Sequence, residues 1–149
     1  PYMVARMTEA LLADGTLGKV LEVGTGSGYQ TAVLSQLADK VFTVERIAGL
    51  VARARERLAA MGYRNISFRH SDGAVGWPEK GPFDAIMVTA GPRVVPDALL
   101  DQLENKGRML LPVGETRSQK LLMLRRTNGE IEQTNLEPVR FVPLLGGKS

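Results

Sequence analysis

The chain has 149 residues, of which 44% are hydrophobic and 23% charged, a composition typical of one globular domain over residues 1–149. It contains no cysteine and a single histidine, His70, which excludes a disulfide framework, a thiolate metal site and a histidine metal cluster. The net charge of +3 comes from scattered Lys and Arg and does not argue for a nucleic-acid partner. Because no apolar run reaches about 18 residues and no secretory signal is recognisable, we expect no membrane span and a cytoplasmic location.

Hydrophobic periodicity predicts alternating strands and helices over the first two thirds of the chain. A helix is predicted over residues 1–13, because Val4, Met7 and Leu11 fall on one face at helical spacing. The strands that follow are predicted at 19–23, 41–44, 66–69, 83–88 and 108–112, with helices at 30–38, 47–61 and 96–103 between them. Such alternation is typical of a parallel sheet with helical crossovers.

The last third of the chain lacks helical periodicity. Strands at 120–126 and 130–136 flank Thr127-Asn128-Gly129, which predicts a hairpin, and one more strand is predicted at 139–142. The predicted fold is therefore α/β, a Rossmann-like, doubly wound, mostly parallel sheet with antiparallel strands at its C-terminal edge.

A glycine-rich turn at residues 24–28 joins the first strand to the next helix. Its alternate glycines, Gly24, Gly26 and Gly28, lack Cβ, so a ligand could lie directly against the backbone. A dinucleotide site needs the different spacing G-x-G-x-x-G. Glu22, just before the turn, suits a cationic cofactor with an amino group and no phosphate, such as S-adenosylmethionine. On this feature alone, a glycine-rich turn without any ligand is an equally good interpretation.

Polar residues follow the predicted strands on the same edge of the sheet, where open α/β sheets bind ligands. Glu45 comes 17 positions after Gly28 and could accept hydrogen bonds from both ribose hydroxyls, although a charge at a helix start is the simpler alternative. Asp72 could accept from the adenine amino group beside Gly73, or the pair could be a plain turn. Residues 89–92 would border the methyl donor and the substrate.

Seven tracts of the chain resemble the protein-L-isoaspartate O-methyltransferases, a family of seven-stranded S-adenosylmethionine-dependent methyltransferases. They extend over nearly the whole chain in the family's order, and the first and last are the most specific to it. The tracts are Pro1-Tyr2-Met3-Val4-Ala5-Arg6-Met7, Leu21-Glu22-Val23-Gly24-Thr25-Gly26-Ser27-Gly28-Tyr29-Gln30-Thr31-Ala32, Val44-Glu45-Arg46, Asp72-Gly73, Pro82-Phe83-Asp84-Ala85-Ile86, Leu111-Pro112-Val113-Gly114 and Val139-Arg140-Phe141-Val142-Pro143-Leu144.

The resemblance implies protein repair, EC 2.1.1.77: transfer of a methyl group from S-adenosylmethionine to the α-carboxylate of L-isoaspartyl residues in damaged proteins, with S-adenosylhomocysteine as product. From the composition and the residues we expect no metal and no nucleic-acid or membrane partner, and we expect a monomer. The implied cofactor contacts are Glu22, Gly24, Thr25, Gly26, Ser27, Gly28, Glu45, Arg46, Asp72 and Gly73. The predicted substrate contacts are Thr89 and Ala90, from their place after the fourth strand, and Val139, Arg140 and Val142, which the resemblance implies.

One departure from the family pattern concerns the residues before Pro1. The family has a Thr-Ile-Ser-Gln tract there, and its serine is the residue usually assigned to the active site, so no catalytic residue is expected within this chain. If the family's N-terminal region is truly missing, we expect weak cofactor binding and little activity. The alternatives are a tRNA methyltransferase of the same fold, or a non-catalytic fragment that binds a partner.

Overall fold

A computed structural model describes residues 2–12, 15 and 17–149 of the chain. Pro1 and Ala13, the two ends of the helix predicted at 1–13, lie outside the described residues, as do Asp14 and Thr16. The helices are α1 (Tyr2–Leu12), α2 (Tyr29–Leu37), α3 (Ala48–Ala60) and α4 (Asp97–Leu100). The strands are β1 (Leu17–Val23), β2 (Ala38–Glu45), β3 (Ile66–His70), β4 (Phe83–Val88), β5 (Leu103–Glu115), β6 (Ser118–Thr127) and β7 (Glu130–Val139).

All seven strands form one sheet in the order β3-β2-β1-β4-β5-β6-β7. Pairing is parallel from β3 to β5 and antiparallel from β5 to β7. The chain adds strands outward from β1 to β3 and then returns to place β4 on the other side of β1, so the topological switch point lies between β1 and β4. The predicted Rossmann-like, mostly parallel sheet with an antiparallel C-terminal edge is confirmed.

Side chains alternate between the two faces of the sheet, as strand geometry requires. On one face Val20 and Val41 pack with α1 and α2, and on the other Leu21 and Phe42 pack with Leu99 of α4. The central strands are apolar on both faces because both are covered. The longest described helix, α3, has 13 residues, and none of the described helices is long and apolar enough to cross a membrane.

Two predicted elements are wrong. The helix predicted at 96–103 is only the four residues of α4, and Leu103 already begins β5, whose partner Phe83 fixes its place in the sheet. The separate strand predicted at 139–142 does not exist: β7 continues without a break to Val139, and the chain then leaves the sheet. The backbone beyond that point hydrogen-bonds to Gly91 instead of to a neighbouring strand.

The turn between β6 and β7 was predicted correctly. Asn128 and Gly129 have positive φ values of 53° and 83°, which are the angles of a two-residue turn whose twist matches that of the flanking strands. The hairpin completes the sheet edge farthest from β3.

Candidate functional site

A cavity of about 340 Å³ opens at the carboxyl ends of β1, β2 and β4, beside the topological switch point. Its volume lies at the lower end of the range for small-molecule sites. The predicted site residues around it are Gly24, Gly26, Glu45, Arg46, Gly73, Thr89, Ala90 and Val142. Apolar residues that were not predicted for the site complete the lining: Val23, Val44, Ile47, Leu50, Pro143, Leu144 and Leu145.

The glycine turn presents bare backbone to this cavity. Gly24 has φ of 105°, and a Cβ there would stand 2.5 Å from Oγ1 of Thr89, so the close approach of β4 requires a glycine. Gly26 has φ of 53°, lines the cavity, and a Cβ on it would meet no protein atom within 4 Å. Gly26 thus combines open space beside its Cα with a place on the cavity wall, which is the arrangement that a ligand lying against the backbone needs.

Glu45 connects the glycine turn to the start of α3 through two hydrogen bonds. Its Oε1 accepts a hydrogen bond from the N–H of Gly26, and its Oε2 accepts one from the N–H of Ile47, each at 3.0 Å. Glu45 is buried but lines the cavity. Each carboxylate oxygen has lone pairs beyond the one it uses here, so the group can accept further bonds from a ligand.

Glu22 lies beneath the turn, not on the wall of the cavity. It is 0% exposed, because its place in β1 turns it to the same face as Val20, under α2. Its Oε1 accepts from the hydroxyls of Thr31 and Thr43, the latter at 2.7 Å. The Thr43 oxygen lies 2.6 Å from Oγ1 of Thr25, so the network reaches into the turn itself.

Burial raises the pKa of Glu22 from its usual 4.5 to about 7, while the two threonine hydroxyls oppose the rise by stabilising the anion. Oε2 of Glu22 is buried without a hydrogen-bond partner. A carboxyl group in this position gains by holding a proton, since an ionised group without a counterion is costly to bury. In this structure Glu22 supports the glycine turn from below through the threonine network. Its direct contact with a ligand remains a prediction.

Three further predicted cofactor residues also lie off the cavity wall. Thr25 is buried in the network below the turn, and Ser27 is exposed, with its backbone oxygen accepting from Arg57. Gly28 is the N-cap residue just before α2 and faces Leu58 of α3, so it serves helix packing in this structure.

Asp72 is in contact with the C-terminal residues of the chain. Oδ1 of Asp72 accepts from the N–H of Ala74, and Oδ2 accepts from the N–H of Gly147 at 3.0 Å. Gly73 does line the cavity, but a Cβ there would first collide with Val23, at 2.5 Å from its Cγ1. Asp72 itself caps the turn that follows β3, and an adenine contact would have to use its remaining lone pairs.

Arg46 lines the cavity and is tied to the same end of the chain. Its backbone oxygen accepts from the N–H of Ser149 at 2.6 Å, and its Nη2 donates to Oγ of Ser149 at 3.1 Å. His70 lies 2.9 Å from the backbone oxygens of both residues. The described residues contain no group of three or more metal-ligating side chains placed to hold an ion.

The predicted substrate residues divide between two places. Thr89, Ala90 and Val142 line the cavity, and Val142 is 70% exposed. Val139 is buried in the sheet, while Arg140 is exposed, and both line a separate groove beside the start of β6.

Comparison with known proteins identifies the family. The family model for protein-L-isoaspartate(D-aspartate) O-methyltransferase matches residues 1–149. The chain belongs to this family. It is 55% identical over 147 residues to the protein-L-isoaspartate O-methyltransferase of Hahella chejuensis, covering 99% of this chain and 70% of the relative. Against the enzyme of Marinobacter nauticus the identity is 57%, covering 99% of this chain and 66% of the relative.

Solved structures agree with this assignment. A protein-L-isoaspartate O-methyltransferase superposes with a TM-score of 0.89 at 29% identity, over 98% of this chain and 47% of that one. A Plasmodium falciparum protein described as the same enzyme, in complex with S-adenosyl-L-homocysteine, gives 0.84 at 28%, over 97% of this chain and 74% of that one. The N-methyltransferase NodS of Bradyrhizobium japonicum, at 17% identity and a TM-score of 0.66 over 77% of this chain and 68% of that one, shares the fold alone.

The resemblance drawn from the sequence is therefore confirmed. The chain is a protein-L-isoaspartate O-methyltransferase by family, with the sheet expected of S-adenosylmethionine-dependent methyltransferases. It spans about two thirds of the length of the curated relatives. The individual contacts to cofactor and substrate remain predictions. The cavity is the place where we expect them.

Proposed function

We propose that this chain binds S-adenosylmethionine in the cavity at the ends of β1, β2 and β4 and methylates the α-carboxylate of L-isoaspartyl residues in damaged proteins. The observation that carries the proposal is the open space beside the bare backbone of Gly26, directly next to the carboxylate of Glu45. That pairing suits a ribose and a cationic chain, and it occurs in a member of a family named for this reaction. The product would be S-adenosylhomocysteine.

The chain's residues fit the cofactor in three respects. Glu45 would accept from the ribose hydroxyls through lone pairs that its backbone bonds leave free. Gly26 leaves room for a ligand against the turn, and the apolar side chains of Ile47 and Leu50 offer a surface for the adenine ring. S-adenosylmethionine supplies an electrophilic methyl group on a sulfonium.

The acceptor chemistry requires little from the protein. An α-carboxylate is already ionised and nucleophilic at neutral pH, so no side chain has to remove a proton from it. What the protein must supply is alignment of the two reactants and exclusion of water. We assign Thr89, Ala90 and Val142 to the substrate side of the cavity because they line it and follow β4 and β7, which lie across the switch point from Glu45. Arg140, in the neighbouring groove, would lie along the peptide beyond its reacting residue.

Several wider expectations accompany this proposal. All seven strands belong to one sheet, which supports residues 1–149 as a single domain. A monomeric state, a cytoplasmic location and the lack of nucleic-acid and membrane partners stay predictions from the sequence. The isoaspartyl-containing protein partner follows from the family.

The activity is tested with S-adenosylmethionine labelled in its methyl group and two peptides that differ only in an isoaspartyl or aspartyl linkage. We expect label in the isoaspartyl peptide and none in the aspartyl control. Calorimetry with S-adenosylhomocysteine measures cofactor binding separately. Binding without peptide labelling would indicate a binding fragment, and labelling of tRNA in a parallel reaction would replace the repair activity by the alternative methyltransferase.

A further inference from the structure

Gln119 is a buried amide at the same edge of the sheet as the cavity. It lies at the start of β6, is 2% exposed, and its backbone is paired with Val139 of β7. The side chain reaches past that pair to the next residues of the chain. Its Oε1 accepts from the N–H of Phe141 at 2.6 Å, and its Nε2 donates to the oxygen of Phe141 at 3.3 Å. One side-chain amide thus binds both backbone groups of a single residue.

The residues held in this way form the rim segment, residues 140–145, which leaves the sheet after β7. The rim segment has a second attachment at Gly91, whose N–H donates to the oxygen of Val142 at 2.7 Å and whose oxygen accepts from the N–H of Leu144 at 3.1 Å. Val142 and Leu144 line the cavity. The segment is therefore held at Phe141 by Gln119 and at Val142 and Leu144 by Gly91.

The two attachments are packed against each other. A Cβ added to Gly91 would collide with the amide of Gln119, so this position has room only for a glycine while the amide is in place. The amide has little freedom to turn away, because it is buried and would leave its own polar groups unpaired. The position of Val142 is therefore set jointly by Gly91, Gln119 and Phe141.

We propose that Gln119 is a positioning residue for the isoaspartyl substrate: it holds the rim segment so that Val142 stays at the mouth of the cavity. This rests on the proposed function, and it adds a residue that borders the groove of Arg140 but does not line the cavity where the methyl group would be transferred. Gln119 does not line the cavity, and the glycine turn and Glu45 belong to strands on the other side of the switch point. Loss of Gln119 should therefore weaken use of the peptide more than binding of the cofactor.

The test compares Gln119→Leu, which keeps the approximate size of the side chain but removes its hydrogen bonds, with Gln133→Leu. Gln133 lies in β7 and is exposed, with its amide donating to Asn135. Two hydrogen bonds at about 1 kcal/mol each predict a rise in peptide KM of about 30-fold for Gln119→Leu, with the dissociation constant of S-adenosylhomocysteine changed less than about twofold. The control should match wild type in both.

Amide hydrogen exchange gives a readout that does not need activity. In Gln119→Leu the N–H of Phe141 loses its acceptor, so its exchange should become faster together with that of Leu144, while amides of β4 keep their protection. If that variant does not fold, Gly91→Ala displaces the amide from the other side and should give the same peptide-specific defect. Unchanged exchange at Phe141 overturns the proposal. So does an equal loss of cofactor and peptide binding, which is the sign of a general structural defect.

Failure of the proposed function is distinguishable from failure of this inference. A wild-type chain that binds the cofactor but labels no isoaspartyl peptide contradicts the repair activity. Exchange at Phe141 in the two variants then still decides whether Gln119 holds the rim segment.

Discussion

The carboxylate of Glu45 accepts a hydrogen bond from the N–H of Gly26 at 3.0 Å and so connects the end of β2 to the glycine turn after β1. The two residues are 19 positions apart in the chain. Their contact brings an acceptor for ribose hydroxyls next to the backbone against which a ligand could lie. Substitutions at Glu45 and at Gly26 measure the contribution of the acceptor and of the open backbone separately.

Replacing Glu45 by Gln should weaken cofactor binding. The variant keeps one oxygen that can accept a hydrogen bond, but it loses the negative charge and one of the two acceptors. Charge-assisted hydrogen bonds contribute about 1.5 to 3 kcal/mol, which corresponds to a roughly 10- to 150-fold rise in the dissociation constant of S-adenosylhomocysteine by calorimetry. Glu56→Gln on the exposed side of α3 is the matched control. A dissociation constant within twofold of wild type would remove Glu45 from the site.

Placing a methyl group on Gly26 should obstruct the cavity itself. Gly26→Ala adds a Cβ that points into open space, and the positive φ also makes it a strained position for alanine, at a cost of about 1 kcal/mol in stability. Gly62→Ala is the control, because Gly62 has φ of 88° and open space around its Cβ but lies away from the cavity. Both variants should lose similar thermal stability, and only Gly26→Ala should lose cofactor affinity. Equal affinities would show that the space beside Gly26 is not used.

The buried carboxyl of Glu22 predicts a specific pH dependence of stability. The unfolded chain ionises this group near 4.5 and the folded chain near 7, so the folded state holds the extra proton between these values. The stability that this proton provides is fully present below about 4.5 and is lost as the pH rises through 7. At about 1.4 kcal/mol for each pH unit, the loss amounts to up to about 3 kcal/mol.

Urea unfolding of wild type and Glu22→Gln at pH 5 and pH 8 measures this contribution. The glutamine cannot ionise. The free energy of unfolding of the variant should therefore not show the decrease with rising pH that the ionisation of Glu22 causes in wild type. Between pH 5 and pH 8, the free energy of unfolding of wild type should therefore fall by about 2 to 3 kcal/mol more than that of the variant. Parallel profiles for the two proteins would mean that Glu22 ionises at its ordinary pKa.

The hydroxyl of Thr31 stabilises the ionised form of Glu22, and its removal should matter more at high pH. Thr31→Val deletes the hydroxyl at similar side-chain size, which should raise the pKa of Glu22 further. We expect a loss of about 1.5 to 3 kcal/mol at pH 8, where the bond is charge-assisted, and about 1 kcal/mol at pH 5. Thr134→Val on the exposed strand β7 is the control. A loss independent of pH would show that the bond does not distinguish the two ionisation states.

Local sequence patterns determined the kinds of elements and the edge of the sheet at which a site could form. Short apolar runs predicted β1 to β4, and the Asn128-Gly129 pair predicted the hairpin, because both signals act between neighbours in the chain. Glycines after β1 and an acid after β2 had to meet, since the carboxyl ends of parallel strands lie together. The family resemblance followed from the same tracts.

Only the tertiary structure decided which of those residues reach the cavity. Glu22 lies under α2, Asp72 is engaged by Gly147 at a separation of 75 residues, and Gln119 holds Phe141 at a separation of 22. A separate strand was predicted at 139–142, but the chain leaves the sheet after Val139 because Gly91 and Gln119 supply the hydrogen bonds of the residues that follow. Such contacts depend on packing between segments far apart in the sequence, and no local periodicity encodes them.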